Sequence, residues 1–479
     1  MDIKTLEPKA IWKNFSALNA VPHPSRKEEK VIAFIQDFGK KLGLETHTDD
    51  TGNVVIRKPA TQSMENRKII TLQSHLDMVC QKNNDTLFDF DTEGIKTLID
   101  GDWVTADGTT LGADNGMGVA AIMSILESND IVHPELEALF TIDEETGMTG
   151  AFGLKPGFLK GEILLNLDTE EDDEIDIGCA GGVDVTAEQT YPTITPKGDA
   201  ISLSIKRLQG GHSGMEIHKG LGNANVLLAR LLYPGITENI QLVEIEAGGL
   251  RNAIPREANA LFYVENADNY LQKAEQLKKD ILNEYKAIEP NIVIDFSIQK
   301  NNSQALKTID SIRFIQALNA AHNGVYRMSP DIDNLVETSN NIAHVNLKDG
   351  KAQIGCLTRS SVDSTKTDLA HQLTAALQLG GLEVTLSGDY PGWQPKPNAS
   401  ITAVLENIYR KKFNEAPKVI ACHAGLECGI IGSNYPDMEM ISFGPTIEGA
   451  HSPDERVSIS SVQKFWGFLL EVLKEIPEK

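Results

Sequence analysis

The sequence is short of positive charge and of cysteine, and it lacks any apolar run long enough to span a bilayer. Against 68 acidic side chains stand 44 basic ones, a formal charge of -24. A field of that sign repels nucleic acid and anionic membrane surfaces and tolerates bound divalent cations. The five cysteines, Cys80, Cys179, Cys356, Cys422 and Cys428, are odd in number, scattered and never spaced as CxxC. This argues against a disulfide framework and a structural zinc knuckle. The opening MDIKTLEPKAIWKNF has no basic-then-apolar signal layout, and no low-complexity or heptad segment stands out. These absences predict a soluble, cytoplasmic protein with reduced thiols and with neither nucleic acid nor membrane as a partner.

At 479 residues, 41% of them apolar, the chain is too long for one ordinary core and can support two domains. Between about residues 50 and 180 the short apolar strands NVVIR, KIITLQSH, ELEALFTID and EILLNLD alternate with the helical stretch MGVAAIMSILES, as in an α/β layer. From GGVDVTAEQ to LEVTLSGDY the character changes. Strands such as ISLSIKRL, ANALFYVE, NIVIDFSI and AQIGCLTR alternate with amphipathic helices such as YLQKAEQLKKDILNEY. Then KVIACHAG, MEMISFG and SSVQKFWGFLLEVLKEI resume the first pattern. The expectation is a discontinuous α/β domain over 1–181 and 389–479, interrupted by an α+β insert over 182–388. ISLSIKRLQGGHSG and AQIGCLTRSSVDS each run from a strand through a polar turn toward a helix, which allows two related halves in the insert.

Polar residues cluster where the strands of the outer segments end, which is where open α/β sheets bind ligands. TIDEETGMTG sets Glu144 and Glu145 side by side after the apolar LEALF. On a strand neighbouring side chains point apart, whereas a turn lets both serve one site. SHLDMV puts His75 and Asp77 two apart and so on one face of a strand; one can bind a metal while the other steadies it, although an HxD pair alone is more often a buried, hydrogen-bonded histidine than a ligand. TTLGADNGMG holds Asp114 in a glycine-bracketed loop before a helix, LLNLDTEEDDEID holds Asp168 at a strand end, and GPTIEGAHSPDER holds His451. Glu170 to Glu174 read as an acidic surface loop. One His, one Asp, one Glu, one Asp and one His make a donor set for zinc or a related divalent metal. Five ligands exceed one tetrahedral ion. Two ions bridged by one carboxylate use all five and leave positions for water and substrate.

SHLDMV, GADNG, DEETG, NLD and GAHSPDE resemble, in order, the metal-site motifs of the M20 dinuclear zinc peptidases. The insert length and the strings CAGG, GGHSG, GLRNAIPRE and HAGLECG are most similar to the aminoacyl-histidine (Xaa-His) dipeptidases of that family. The resemblance implies a zinc-peptidase-like α/β catalytic domain with an inserted lid or dimerisation domain. It implies two Zn2+ per chain, replaceable by Mn2+ or Co2+. Asp114 would bridge, His75 and Asp168 would bind one ion, and Glu145 and His451 the other. Asp77 would orient His75 and Glu144 would be the general base. His212 of GGHSG would polarise the scissile carbonyl, Asn252 and Arg359 would hold substrate polar groups, and Glu427 would sit at the substrate's amino end. An Arg can clamp a free carboxylate with two parallel hydrogen bonds. GGHSG is no serine-hydrolase elbow, since Met215 stands where GxSxG needs glycine. Cys422, His423 and Cys428 lack a fourth soft ligand for a metal site of their own. Small dipeptides as substrates and a homodimer complete the expectation. An N-acyl-amino-acid amidohydrolase on the same scaffold shares the ligand set, although the long insert and HAGLECG favour a dipeptidase. A non-enzymatic metal-binding scaffold would not need Glu144 beside Glu145.

Overall fold

The protein is described by a computed structural model covering residues 2–479. The chain divides into two compact units, one made of Met1–Gly178, Trp393–Ala421 and Leu426–Lys479, the other of Cys179–Gly392 and Cys422–Gly425. Among the described residues no helix is long and apolar enough to cross a membrane.

The first unit is built on an eight-stranded mixed sheet. Its strands lie in the order Glu45–Thr48, Val54–Lys58, Leu136–Thr141, Ile70–His75, Ile163–Asn166, Glu439–Ser442, Glu174–Cys179 and Lys418–Cys422. The His75 strand is central and parallel to both neighbours, with His75 opposite Thr141 and Gln73 opposite both Leu139 and Asn166. Every residue of Ile70–His75, Leu136–Thr141 and Ile163–Asn166 is buried. A parallel layer covered on both faces has no solvent side, so these strands read as continuous apolar runs rather than alternating ones. The helix Ala113–Glu127 packs on the His75 strand and is itself covered by the helix Lys9–Asn19. Its interior is buried on every side from Asn115 to Leu126, which explains its small, apolar composition.

A second, four-stranded sheet in this unit joins distant parts of the chain. Ile447–Glu448 pairs with Arg456–Ser458, which pairs with Trp103–Ala106, which pairs with Thr97–Asp100. Val457 stands opposite Val104. That pairing carries the loop between Glu448 and Arg456 to the residues that open the helix Ala113–Glu127.

The second unit is α+β. Eight of the nine strands of its larger sheet run in the order Val293–Gln299, Asp199–Lys206, Ala258–Val264, Gln241–Gly248, Val336–Lys348, Lys351–Ser360, Gly181–Thr190 and Glu383–Tyr390, with Gly324–Met328 paired to Val336–Lys348. Every described pairing in it is antiparallel. The helices Ala224–Leu232, Ala267–Tyr285, Thr308–Ala320 and Asp363–Leu379 share one core with it, including Leu231, Phe262, Tyr270, Phe314 and Leu373. Ala267–Tyr285 shows why the sequence chose a helix there. Asn266 caps it by accepting the Asn269 N–H at 3.0 Å, and Tyr270, Ala274 and Ile281 recur on one buried stripe.

Candidate metal centre

His75 closes its strand with 2% of its surface exposed. Its Nδ1–H donates to the Asp77 carbonyl oxygen at 3.0 Å, which leaves the Nε2 lone pair for a ligand. Nε2 faces Asp114 Oδ1 at 3.2 Å and Asp168 Oδ1 at 3.5 Å. Asp168 arrives there because the strand Ile163–Asn166 runs parallel beside the His75 strand and ends just before it. Asp114 comes from the opposite side, at the start of the helix Ala113–Glu127, behind Gly112 at φ 71°.

That helix start is held by a residue with no obvious signature. The Glu455 carboxylate accepts the backbone N–H groups of Leu111, Gly112, Ala113 and Asp114 at 2.7, 3.0, 2.7 and 3.2 Å. These are the donors that a helix leaves unsatisfied at its N-terminus. Four residues before Glu455, His451 takes a left-handed φ of 63°, and its Nε2 lies 3.1 Å from Asp114 Oδ2 and 3.0 Å from Glu145 Oε2.

The Glu144–Glu145 segment is a turn. Asp143 sits at φ 55°, and its carboxylate accepts the hydroxyls of Thr146 and of Thr149, the latter at 2.7 Å. The Asp77 carboxylate accepts the N–H of Glu144 at 3.0 Å and of Glu145 at 3.3 Å. Asp77 therefore does more than sit 3.4 Å from His75 Nδ1: it pins the turn that sends both glutamates to one place. Ligand atoms of His75, Glu144 and Glu145 gather within 4.8 Å of one another, as do those of His75, Asp114 and Asp168, and those of Asp114, Glu145 and His451.

Two features fit a pair of divalent cations. Asp114 divides its oxygens, Oδ1 toward His75 and Oδ2 toward His451. Glu145 Oε1 and Asp168 Oδ1 are buried without a hydrogen-bond partner, a costly state for a carboxylate that a cation relieves. The electrostatics agree. Burial pushes Asp168 up to about 6 despite the opposing His75 charge. Glu144 is driven well above the carboxylate range by burial, reinforced by Asp168 and Glu145 against the pull of His75. Hydrogen bonds to Asp114 and Glu145 raise His451 to about 11. Burial opposes a charge on His75, yet Asp168, Asp114 and Asp77 hold its pKa well above the ordinary value. Asp114 is likewise buried but kept low by His451 and His75. The centre is a sink of negative charge that draws positive charge to itself.

Glu427 belongs to the first unit, at the first turn of the helix Glu427–Asn434. It is 1% exposed, accepts from Gln73 Nε2 at 2.7 Å and Thr141 Oγ1 at 2.5 Å, and is pushed up to about 8 by burial.

His212, Asn252 and Arg359 belong to the second unit. The His212 loop is tied to the Asn252 loop by Ser213 N–H to Asn252 O and Ile254 N–H to Gly211 O, both 2.8 Å. His212 Nδ1 accepts the N–H of Gly214 at 3.2 Å and of Met215 at 3.0 Å, so the ring proton of the neutral form sits on Nε2 as a donor. The Asn252 residue is exposed. Arg359 is buried, its Nη1 donates to the Tyr390 hydroxyl at 3.0 Å, and its buried Nε has no partner. His423 joins this neighbourhood. Its Nε2 lies 2.8 Å from Ser339 Oγ, and burial, with the charges of Arg359, His212 and His218, lowers it to about 3. The Arg359 guanidinium is a group that suits an anionic partner.

The sequence motifs therefore meet in two sets, His75, Asp77, Asp114, Glu144, Glu145, Asp168, His451 and Glu427 in one unit, His212, Asn252 and Arg359 in the other. Glu455, Gln73 and Thr141 were not singled out by sequence reasoning, and His423 entered it only beside Cys422 and Cys428, as a metal group that was set aside. Glu455 and His423 lie inside motifs it used, GAHSPDER and CHAGLECG, but their partners are backbone amides and a serine that only the fold brings near.

Residues 71–475 match peptidase family M20/M25/M40. The chain belongs to that family. Across its whole length, and the whole length of the relative, it is 44% identical to the cytosol non-specific dipeptidase of Escherichia coli (strain K12). It is also 44% identical to the aminoacylhistidine dipeptidase of Vibrio alginolyticus, whose crystal structure superposes with a TM-score of 0.92 over 100% of this chain and 99% of that one. The aminopeptidase PepT of Bacillus cereus shares the fold, with a TM-score of 0.57 at 15% identity over 98% of this chain and 99% of that one. As a member of this peptidase family the chain is a metal-dependent hydrolase.

Proposed function

We propose that this protein is a cytoplasmic, dinuclear zinc dipeptidase that cleaves Xaa-His and related unblocked dipeptides, working as a homodimer. The observation that carries the reading is the division of the Asp114 oxygens between His75 and His451, with unpartnered carboxylate oxygens of Asp168 and Glu145 on either side. Full-length identity of 44% to a cytosol non-specific dipeptidase supports the substrate class.

His75 and Asp168 would hold one ion, Glu145 and His451 the other, and Asp114 both; Mn2+ or Co2+ would serve in place of zinc. Bound there, divalent ions acidify water and polarise the scissile carbonyl. Glu144, whose burial makes its carboxylate the stronger base, accepts the proton of the attacking water and returns it to the leaving amine. His212 donates its Nε2–H to the oxygen on which negative charge develops. Arg359 receives the substrate carboxylate, Asn252 a further polar group, and Glu427 the substrate ammonium.

The test is a metal count on fully active protein with a substrate panel: Xaa-His and other dipeptides, their N-acetylated and C-amidated forms, and N-acyl amino acids. Two ions per chain, and hydrolysis confined to dipeptides with both ends free, are expected. Full activity with one ion refutes the paired site, and preference for N-acyl amino acids assigns an amidohydrolase instead.

A further inference from the structure

A line of buried polar side chains crosses the sheet of the first unit, passing through Gln73 and Asn166, each two residues upstream of a ligand. It begins at Asp176, whose Oδ2 lies 2.8 Å from Thr169 Oγ1. Thr169 Oγ1 is 2.8 Å from Ser442 Oγ, Ser442 Oγ is 2.5 Å from Asn166 Oδ1, and Asn166 Nδ2 is 2.5 Å from Gln73 Oε1. Gln73 Nε2 is 2.7 Å from Glu427 Oε2, and Thr141 Oγ1 reaches the same oxygen at 2.5 Å. All seven side chains are buried. In such surroundings each contact must be a hydrogen bond, since two oxygens pressed together without a hydrogen repel.

The hydrogens can be counted. A hydroxyl donates once. Asn166 presents its carbonyl oxygen to Ser442, so the Ser442 proton points there. The contact between Ser442 and Thr169 then takes the Thr169 proton, and the contact between Thr169 and Asp176 requires a proton on Asp176. At the other end Gln73 N–H and Thr141 O–H both point at Glu427, which accepts them as an anion. Turning both amides over reverses every bond and moves the requirement to Glu427. A second proton on the oxygens of the chain, Asp176 Oδ2 and Glu427 Oε2, would make two hydrogens meet, and no proton would leave one close oxygen pair bare.

We propose that Asp176 and Glu427 share a single proton through this chain, and that Asp176, held neutral, is a positioning residue that keeps Glu427 ionised beside the metal centre. Burial raises both carboxyls, Asp176 to about 7 and Glu427 to about 8, and outweighs the neighbouring hydroxyls of Thr169 and Thr141. Both ends thus compete for the proton, and the orientation of the amides and hydroxyls decides between them. Glu174 is the other charged group acting on Asp176, while His75, Asp168 and Asp77 act on Glu427. Glu427 Oε1 is buried with no partner, so the ionised form calls for a cation, and the ammonium end of a peptide supplies one. That last step rests on the dipeptidase reading; the shared proton does not.

Isotope-edited infrared spectra of the full-length, metal-loaded protein test the proton. One neutral carboxylic-acid band should vanish in Asp176→Asn and persist in Glu427→Gln. Loss of that band in Glu427→Gln instead, a separate band lost in each variant, or no band lost in either would overturn the proposal. Kinetics test the positioning. Asp176→Asn, whose amide N–H can replace the acid O–H toward Thr169, should keep the KM for free dipeptides within about twofold, whereas Ser442→Ala, which removes the donor to Asn166 Oδ1 and frees both amides to turn over, should raise it about tenfold or more, the scale of one lost hydrogen bond to a charged group. An unchanged KM in Ser442→Ala refutes the positioning role; should that variant fail to fold, Ser442→Cys, a weaker donor at the same place, should raise KM in the same direction, and an unchanged KM there refutes the role equally. A wild type that hydrolyses no dipeptide removes the dipeptidase reading and leaves the infrared result to decide the shared proton.

Discussion

Glu144 and Glu145 are the same residue in different surroundings, and the difference assigns them different work. Glu145 Oε2 faces His451 within the ligand set, whereas Glu144 is the more strongly driven to the protonated form by burial among like charges. Glu144→Gln should lower kcat by about 10²-fold or more with both metals retained, and Glu145→Gln should lose metal. Kinetics with a metal count checks this, and the opposite pattern would exchange the roles. His423 yields a pH prediction of defined sign. Its pKa is depressed to about 3 from an ordinary 6.5, so between those values the unfolded chain binds the extra proton. Its contribution to stability is complete above 6.5 and is lost as pH falls toward 3. Melting midpoints should fall with acidification over that window, and His423→Gln should flatten the slope. At this scale the candidate cluster was legible in part because His75, Glu145 and Asp168 stand at or just past strand ends, where apolar runs stop abruptly. Glu455 was not, because its partners are four backbone N–H groups more than 300 residues away in sequence, and backbone groups leave no trace in a sequence.

Elements place those residues, and the contact between the helix Ala113–Glu127 and the central strand is the tightest constraint. A Cβ at Gly118 would collide with Ser74 Oγ and lie 2.8 Å from Leu167 O, each one residue from a ligand. Gly→Ala inside a helix ordinarily stabilises by up to about 1 kcal/mol. Here it should destabilise by about 1–3 kcal/mol through overpacking and weaken metal binding, because the helix carrying Asp114 must move off the strands carrying His75 and Asp168. Calorimetry with a metal titration of Gly118→Ala checks both. The long buried strands and this helix were readable from continuous apolar runs. The four-stranded sheet was not: two of its strands are only two and three residues long, too short for any period to register, and its pairing of Val104 with Val457 is a fact of the fold alone.

For the molecule as a whole, the centre of the first unit assembles Asp77, Asp114, Glu144, Glu145 and Asp168 around two histidines within a chain already at -24. Cations that bind only the folded form stabilise it, by about 4 kcal/mol when present at a thousand times their Kd. A chelator should abolish activity and lower the melting midpoint, zinc should restore both, and Glu145→Gln should respond weakly to either treatment. A midpoint indifferent to chelation would mean that the cluster holds no ion that matters to the fold. The alternation of strands and helices made the α/β plan with an α+β insert legible in advance, because that pattern follows from which faces must be covered.

The short sheet that seats His451 has one further consequence. The strand Arg456–Ser458 closes on Trp103–Ala106, so His451 reaches Asp114 only in a chain that extends through both. A fragment ending before residue 451, from interrupted synthesis or from proteolysis, can contain His75, Asp114, Glu144, Glu145 and Asp168 yet never the complete constellation. Closing that small sheet and completing the candidate cluster are therefore one event, because the strand that pairs with Trp103–Ala106 is the one that brings His451 to within 3.1 Å of Asp114.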